Sequence, residues 1–175
     1  KKLEPSPLSV ISKSTFIHPA NYDQHLGSLT DCDLVIEAIA ERVDWKTELY
    51  AKIIPYLAPH TLVASNTSGL SINQLAAALP EELQHRFCGI HFFNPAPLMP
   101  LVEIIPGVAT SAEVLKASKR LIDTWGKTTV IAKDTPGFIV NRVARPFYSE
   151  ALRIYEEGIA DMATIDWAMR DLGGF

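Results

Sequence analysis

The chain has 175 residues, a formal net charge of −4 and 47% apolar against 21% charged residues, the balance of an ordinary globular protein. Its acidity argues against a sequence-independent grip on nucleic acid phosphates, and no apolar run approaches the ~20 residues needed to cross a bilayer. The two cysteines, Cys32 and Cys88, do not make a disulfide framework and suit a reducing, cytoplasmic setting.

Residues 1–30 are the least regular part: Pro5, Pro7 and Pro19 break helices, while Ser6, Ser9, Ser12 and Ser14 favour loop. A short strand at about Thr15–His18 and a short helix at about Tyr22–Leu29 are expected. Asp33–Ala38 is a nearly continuous apolar run, as in a parallel strand covered on both faces. Asp44–Leu57 has helical spacing of its apolar residues, and Thr61–Ala64 is a strand leading into Ser65-Asn66-Thr67-Ser68-Gly69. A helix follows at about Ser71–Leu79 with Ser71 as N-cap. Strands at Phe87–Phe93 and Leu101–Ile105 come next, then a helix at Ser111–Trp125 ended by Gly126, and a strand at Thr128–Ala132. This alternation predicts an α/β fold, an open and mostly parallel sheet with helices on its faces. After Asp134-Thr135-Pro136-Gly137 the pattern turns helical, with Phe138–Glu157 as one long helix ended by Gly158 and Thr164–Leu172 as a second, so a domain boundary is placed at about 134–137.

Such sheets usually announce a dinucleotide by a glycine-rich turn after the first strand. No G-x-G-x-x-G can be made from the nine glycines. Either the protein binds no dinucleotide or that first strand-helix-strand lies upstream of Lys1. The start at Lys1 rather than Met and the turn-like Gly173-Gly174-Phe175 ending favour a fragment.

Four small polar side chains, Ser65 to Ser68, follow a strand end, where open α/β sheets bind ligands. Taken alone they read first as a turn and N-cap cluster opening the next helix, since these residue types favour caps. His91 and Glu103 each stand as the lone ionisable residue in an apolar strand. Burying that carboxylate is costly unless it is paired, and a Glu beside an imidazole fixes its tautomer and raises its basicity. A purely structural His–Glu pair is the alternative. Asn94, in Asn94-Pro95-Ala96-Pro97, falls at the sheet's edge, and Asn141 lies in the first turn of the long helix. Glu41 and Lys46 read, by themselves, as surface charge. No third residue offers a metal site.

Taken together the segments are more specific. Asp33–Ile39 with Glu41 and Lys46, Ser65–Ser68, His91-Phe92-Phe93-Asn94-Pro95, Leu101-Val102-Glu103-Ile104 and Asp134-Thr135-Pro136-Gly137-Phe138-Ile139-Val140-Asn141-Arg142 stand in the order of the 3-hydroxyacyl-CoA dehydrogenase family, which the chain resembles from about Asp31 to Phe175. The resemblance implies a Rossmann-type, doubly wound NAD-binding domain over residues 1–134, lacking its first strand-helix-strand. The start of an all-helical substrate and dimerisation domain would follow over 135–175. It implies NAD-dependent oxidation of 3-hydroxyacyl-CoA to 3-oxoacyl-CoA, as in fatty-acid beta-oxidation, by a cytoplasmic homodimer with an acyl-CoA thioester partner and neither nucleic acid nor membrane. On this likeness His91 resembles the general acid/base and Glu103 its orienting carboxylate. Ser68 looks like the serine that contacts substrate oxygen and cofactor, Asn141 like the residue that completes the oxygen site, and Glu41, Lys46 and Asn94 like NAD contacts.

The chain departs from the family in lacking the glycine-rich turn and the second half of the helical domain, so the 175 residues alone are expected to be inactive. Gly69 stands where many members have a second serine, and Lys1–Ser14 is similar to a longer connection in some bacterial members, including fused multifunctional ones. The competing readings are a dehydrogenase of another 3-hydroxy acid, a non-catalytic binding or dimerisation module, and a serine hydrolase using Ser65 or Ser68. The last lacks a G-x-S-x-G elbow.

Overall fold

The computed structural model describes residues 11–175, so the loop reading over Pro5, Ser6, Pro7 and Ser9 lies outside the described residues. The chain divides into two compact units, the first ending at Phe138 and the second running Ile139–Phe175. The dividing point falls just after the Pro-Gly pair because Phe138 is itself buried in the first unit's core.

The first unit is built on a five-stranded sheet in the order β1-β2-β3-β4-β5. Strands β1 (Leu34–Glu37), β2 (Leu62–Ser65) and β3 (Phe87–Phe92) run parallel. Strand β4 (Leu101–Pro106) turns back antiparallel to β3, and β5 (Thr128–Ile131) is parallel to β4. The reversal has a simple cause. The link between β3 and β4 carries no helix, and a parallel return needs a crossover of a dozen residues or more. Elsewhere helices make the crossovers: α1 (Val43–Ile53) between β1 and β2, α2 (Ile72–Ala76) and α3 (Glu81–Gln84) between β2 and β3, and α4 (Ala112–Thr124) between β4 and β5.

Alternation along the strands sorts the core into two layers. On one face Val63, Phe87 and Ile105 pack with Leu49, Tyr50 and Ile53 of α1, Ile72, Leu75 and Ala76 of α2, and Leu83 of α3. On the other, Ala64, Cys88, Ile90, Val102 and Ile104 pack with Ile122 of α4. Covering on both faces explains why the strands read as apolar runs. The caps fall where the residue types favour them: the Ser71 and Ser111 side chains accept from the amides of Gln74 and Val114.

Three expectations need correcting. No strand forms at Thr15–His18, where the chain makes a 3-10 turn at Ile11–Phe16. The helix expected at Tyr22–Leu29 is a later 3-10 turn, Leu26–Asp31, because Asn21 Oδ1 accepts from the amides of Asp23 and Gln24 and closes a local turn. The helix expected at Ser71–Leu79 is shorter, and α3 follows Pro80.

The second unit comprises α5 (Val140–Glu156), with Pro146 inside it, and α6 (Met162–Trp167), which continues as one π turn, Ala168–Leu172. Gly158 has φ +70, a conformation suited to ending α5. Asp161 caps α6 by accepting from the Thr164 amide. Ile165 is buried and faces an apolar hollow lined with Phe147, Ala151, Ile154 and Met169. Among the described residues no helix is long and apolar enough to cross a membrane.

One position in β3 is tightly enclosed around a glycine. A Cβ on Gly89 would stand 2.8 Å from Ile72 Cδ1 and 3.1 Å from Ile105 Cβ. Gly89→Ala should therefore destabilise the protein by about 1–3 kcal/mol, the usual range for overpacking, measured as a lowered denaturant midpoint with unchanged slope.

Candidate functional site

Register brings the two lone ionisable residues of the apolar strands together. His91 on β3 and Glu103 on β4 are direct partners in the antiparallel ladder, and His91 Nδ1 lies 2.8 Å from Glu103 Oε2. Both are buried, His91 at 3% and Glu103 at 0% exposure. The pair thus stands in a medium where an unpaired charge would be costly. With Nδ1 engaged by the carboxylate, Nε2 is the nitrogen turned to other work. The ring is held by the Phe93 ring 4.5 Å away and the Phe138 ring at 5.7 Å. Phe138 adopts φ 47, a left-handed conformation rare for a bulky residue, in the segment that lays its ring against His91.

At the carboxyl ends of β1 and β2 lies a second cluster. Glu37, the last residue of β1, accepts from Lys46 Nζ at 2.6 Å and the Ile39 amide at 2.7 Å on one oxygen, and from Ser65 Oγ at 2.7 Å and Tyr50 OH at 3.2 Å on the other. Lys46 also donates to the Ile39 carbonyl and stands 3.6 Å from Glu41 Oε2. Glu41 in turn gathers the turn after β2: its Oε1 accepts from Thr67 Oγ1 at 2.6 Å, the Ser68 amide at 2.7 Å and the Gly69 amide at 3.2 Å. Burial pushes the Tyr50 hydroxyl pKa far upward, with the Glu37 carboxylate adding to it.

The four polar residues after β2 divide in a way their types do not reveal. Ser65 and Thr67 are buried and point at Glu37 and Glu41. Asn66 Oδ1 accepts from the Phe92 amide, tying β2's end to β3's. Ser68 alone has an exposed side chain. Ser65, considered above as a nucleophile, spends its proton on a buried carboxylate. The reading of Lys46 as surface charge is also corrected. The side chain is 1% exposed, because Glu37 compensates its ammonium. Glu37 itself is a site residue that the sequence reading passed over.

Asn94 follows β3 and joins Pro95 through a cis peptide. Its loop is gathered by Lys127 Nζ, which donates to the carbonyls of Ala96, Pro97 and Met99. Asp134 caps α2 from afar. Its carboxylate accepts from Ser71 Oγ, the amides of Ile72 and Asn73, and Asn73 Nδ2, at 2.7–2.9 Å. Asn141 sits in the first turn of α5, in the second unit, half-buried.

The residues at this edge fit part of a dinucleotide. Glu41 is a charged acceptor whose side chain is 45% exposed, suited to sugar hydroxyls, and the exposed Ser68 lies beside it in the same turn. No glycine-rich turn for the phosphates is present among the 175 residues.

Comparison with known proteins places the chain among dehydrogenases. Residues 9–135 match the family model of the 3-hydroxyacyl-CoA dehydrogenase NAD binding domain, and residues 137–175 match that of the same enzymes' C-terminal domain. The chain is 49% identical over 150 residues to the 3-hydroxyadipyl-CoA dehydrogenase of Escherichia coli K12, covering 86% of this chain and 31% of that one. It is 48% identical over 143 residues to the mitochondrial hydroxyacyl-coenzyme A dehydrogenase of Sus scrofa, covering 82% of this chain and 45% of that protein. Among solved structures, the 3-hydroxybutyryl-CoA dehydrogenase of Escherichia coli K12 superposes with a TM-score of 0.76 at 49% identity, over 83% of this chain and 30% of that one. The (S)-3-hydroxybutyryl-CoA dehydrogenase of Ralstonia eutropha gives 0.77 at 38%, over 87% of this chain and 52% of that one. The chain thus spans about half or less of the length of these relatives.

Glu41 also gives the site a pH dependence. Partial burial works against its charge, but the Thr67 hydroxyl, the Ser68 amide, Lys46 and the Gly69 amide outweigh it and hold the carboxyl below its ordinary value of 4.5. A depressed carboxylate stabilises the fold above its unfolded pKa and loses that contribution as the pH falls through the folded one. The melting midpoints of the protein and of Glu41→Gln should differ by a constant amount above about pH 5 and converge below it.

Proposed function

This chain belongs to the 3-hydroxyacyl-CoA dehydrogenase family, and we propose that it serves the NAD-dependent oxidation of a 3-hydroxyacyl-CoA to the 3-oxoacyl-CoA, with His91 as the general base. The observation that carries the reading is the buried His91–Glu103 pair, Nδ1 to Oε2 at 2.8 Å. A carboxylate there fixes the tautomer, leaves Nε2 as the basic nitrogen and stabilises the imidazolium once a proton arrives. NAD, when bound, would supply the nicotinamide that accepts the hydride leaving substrate C3. His91 Nε2 would take the 3-hydroxyl proton as the hydride leaves, and Ser68 would hold the oxygen as it becomes a carbonyl. Glu41 would accept from the cofactor's sugar and Asn94 would seat its nicotinamide end. Lys46, buried against Glu37, serves the cofactor by holding Glu41.

The reading assigns residues 1–134 to the NAD-binding domain and 135–175 to the beginning of a helical domain that takes the substrate and dimerises. The exposed apolar side chains of α5, Val143, Phe147, Tyr148, Leu152 and Tyr155, support a covered helical face. Two unpaired cysteines suit a reducing compartment, here the cytoplasm, and the chemistry suits fatty-acid beta-oxidation.

The test is NADH consumption with acetoacetyl-CoA by the full-length protein carrying this chain, compared with its His91→Gln variant. Loss of the base should lower kcat by about 10²–10⁴ while NADH binding, followed by fluorescence, is kept. A folded, NADH-binding protein that leaves acetoacetyl-CoA untouched sinks the substrate assignment, and turnover of a free 3-hydroxy acid instead would move it to that class.

A further inference from the structure

Glu37 stands one step behind the groups assigned to the cofactor and substrate. It is 3% exposed, and its two oxygens take four donors from three places: the chain just after β1, helix α1 and the end of β2. Two routes run from it to the turn that carries Ser68. In one, Ser65 Oγ donates to Glu37 and accepts from the Thr67 amide at 3.2 Å. In the other, Lys46 Nζ, seated on Glu37, faces Glu41 Oε2 at 3.6 Å, and Glu41 Oε1 holds the Ser68 and Gly69 amides. Both ends of the Ser65–Gly69 turn therefore hang from one buried carboxylate.

We propose that Glu37 is a positioning residue: through Lys46–Glu41 and through Ser65 it sets the place of Ser68 and the outward carboxylate edge of Glu41, without itself touching substrate or cofactor. The assignment rests on the NAD-dependent reading of the site. Packing alone does not call for such an arrangement. A buried ion pair is at best neutral for stability when compared with an apolar pair of the same shape, whereas a carboxylate gripped on both oxygens fixes direction. Tyr50 adds a fourth donor to the carboxylate.

The experiment compares Glu37→Gln, Glu41→Gln and the double variant in the full-length protein, reading NADH dissociation and amide hydrogen exchange at Ser68 and Gly69. Glu37→Gln should speed exchange at both amides and weaken NADH binding, each about tenfold, the size of one lost charge-assisted hydrogen bond. In the Glu41→Gln background the same change should weaken NADH binding by a smaller factor, because the route through Lys46 and Glu41 is already cut and only the one through Ser65 remains. A residue that only stabilises the fold would lower the melting midpoint and add its full penalty in both backgrounds. Equal penalties, or unchanged exchange and affinity in folded Glu37→Gln, overturn the assignment. Should that variant fail to fold, Ser65→Ala cuts one route without uncovering the Lys46 charge. Faster exchange at Ser68 then supports the role and unchanged exchange overturns it. A wild-type protein that binds no NADH removes the cofactor reading, and the exchange arm alone then decides whether Glu37 positions the turn.

Discussion

In the pairing of β3 with β4, His91 and Glu103 are opposite one another, and a slip of a single residue would send one of them to the other face of the sheet. What holds the register is apolar. Gly89 lets Ile105 and Ile72 close over the strand, and Ile90 faces Ile104 in the ladder while both lie buried on the α4 side. The polar pair rides on this packing. A carboxylate placed among Val102, Ile104 and Ile105 that lost its imidazole would lose a charge-compensating partner in a buried place, a strongly destabilising change.

The same solution is used twice along one edge. Glu37 and Glu103 are both buried acids, each met by a basic side chain from a neighbouring element. Among the described residues no buried side-chain polar atom lacks a partner. Parallel strands make this edge possible, because β1, β2 and β3 all finish on it and their following turns converge there. The antiparallel return through Asn94 and Pro95 closes it from the side of β4.

How much of this could be read beforehand depended on contrast. His91 and Glu103 were legible because each interrupts an apolar run, and a lone charge in such a run demands a partner. The strands were legible for the same reason, and the caps at Ser71 and Ser111 because the residue types favour them. The resemblance put Lys46 at the site, but its burial and its pairing with Glu37 were not legible. A lysine in the second turn of a helix and a glutamate at a strand end are common on any surface, and only the fold turns them toward each other. Ser65, Asn66, Thr67 and Ser68 are alike in type and differ only in where β2's end and the start of the turn point them. The 3-10 turns near Asn21 were missed because side-chain acceptance by one asparagine outcompetes weak helical spacing.

Asp134 behaves like a clamped end of a beam. Four bonds seat its carboxylate on Ser71 and the first residues of α2. Of the residues that follow, two are left-handed, Gly137 at φ 77 and Phe138 at φ 47. The four bonds bridge 61–63 residues of sequence, so the chain leaving β5 is tied directly to the helix that follows the turn bearing Ser68.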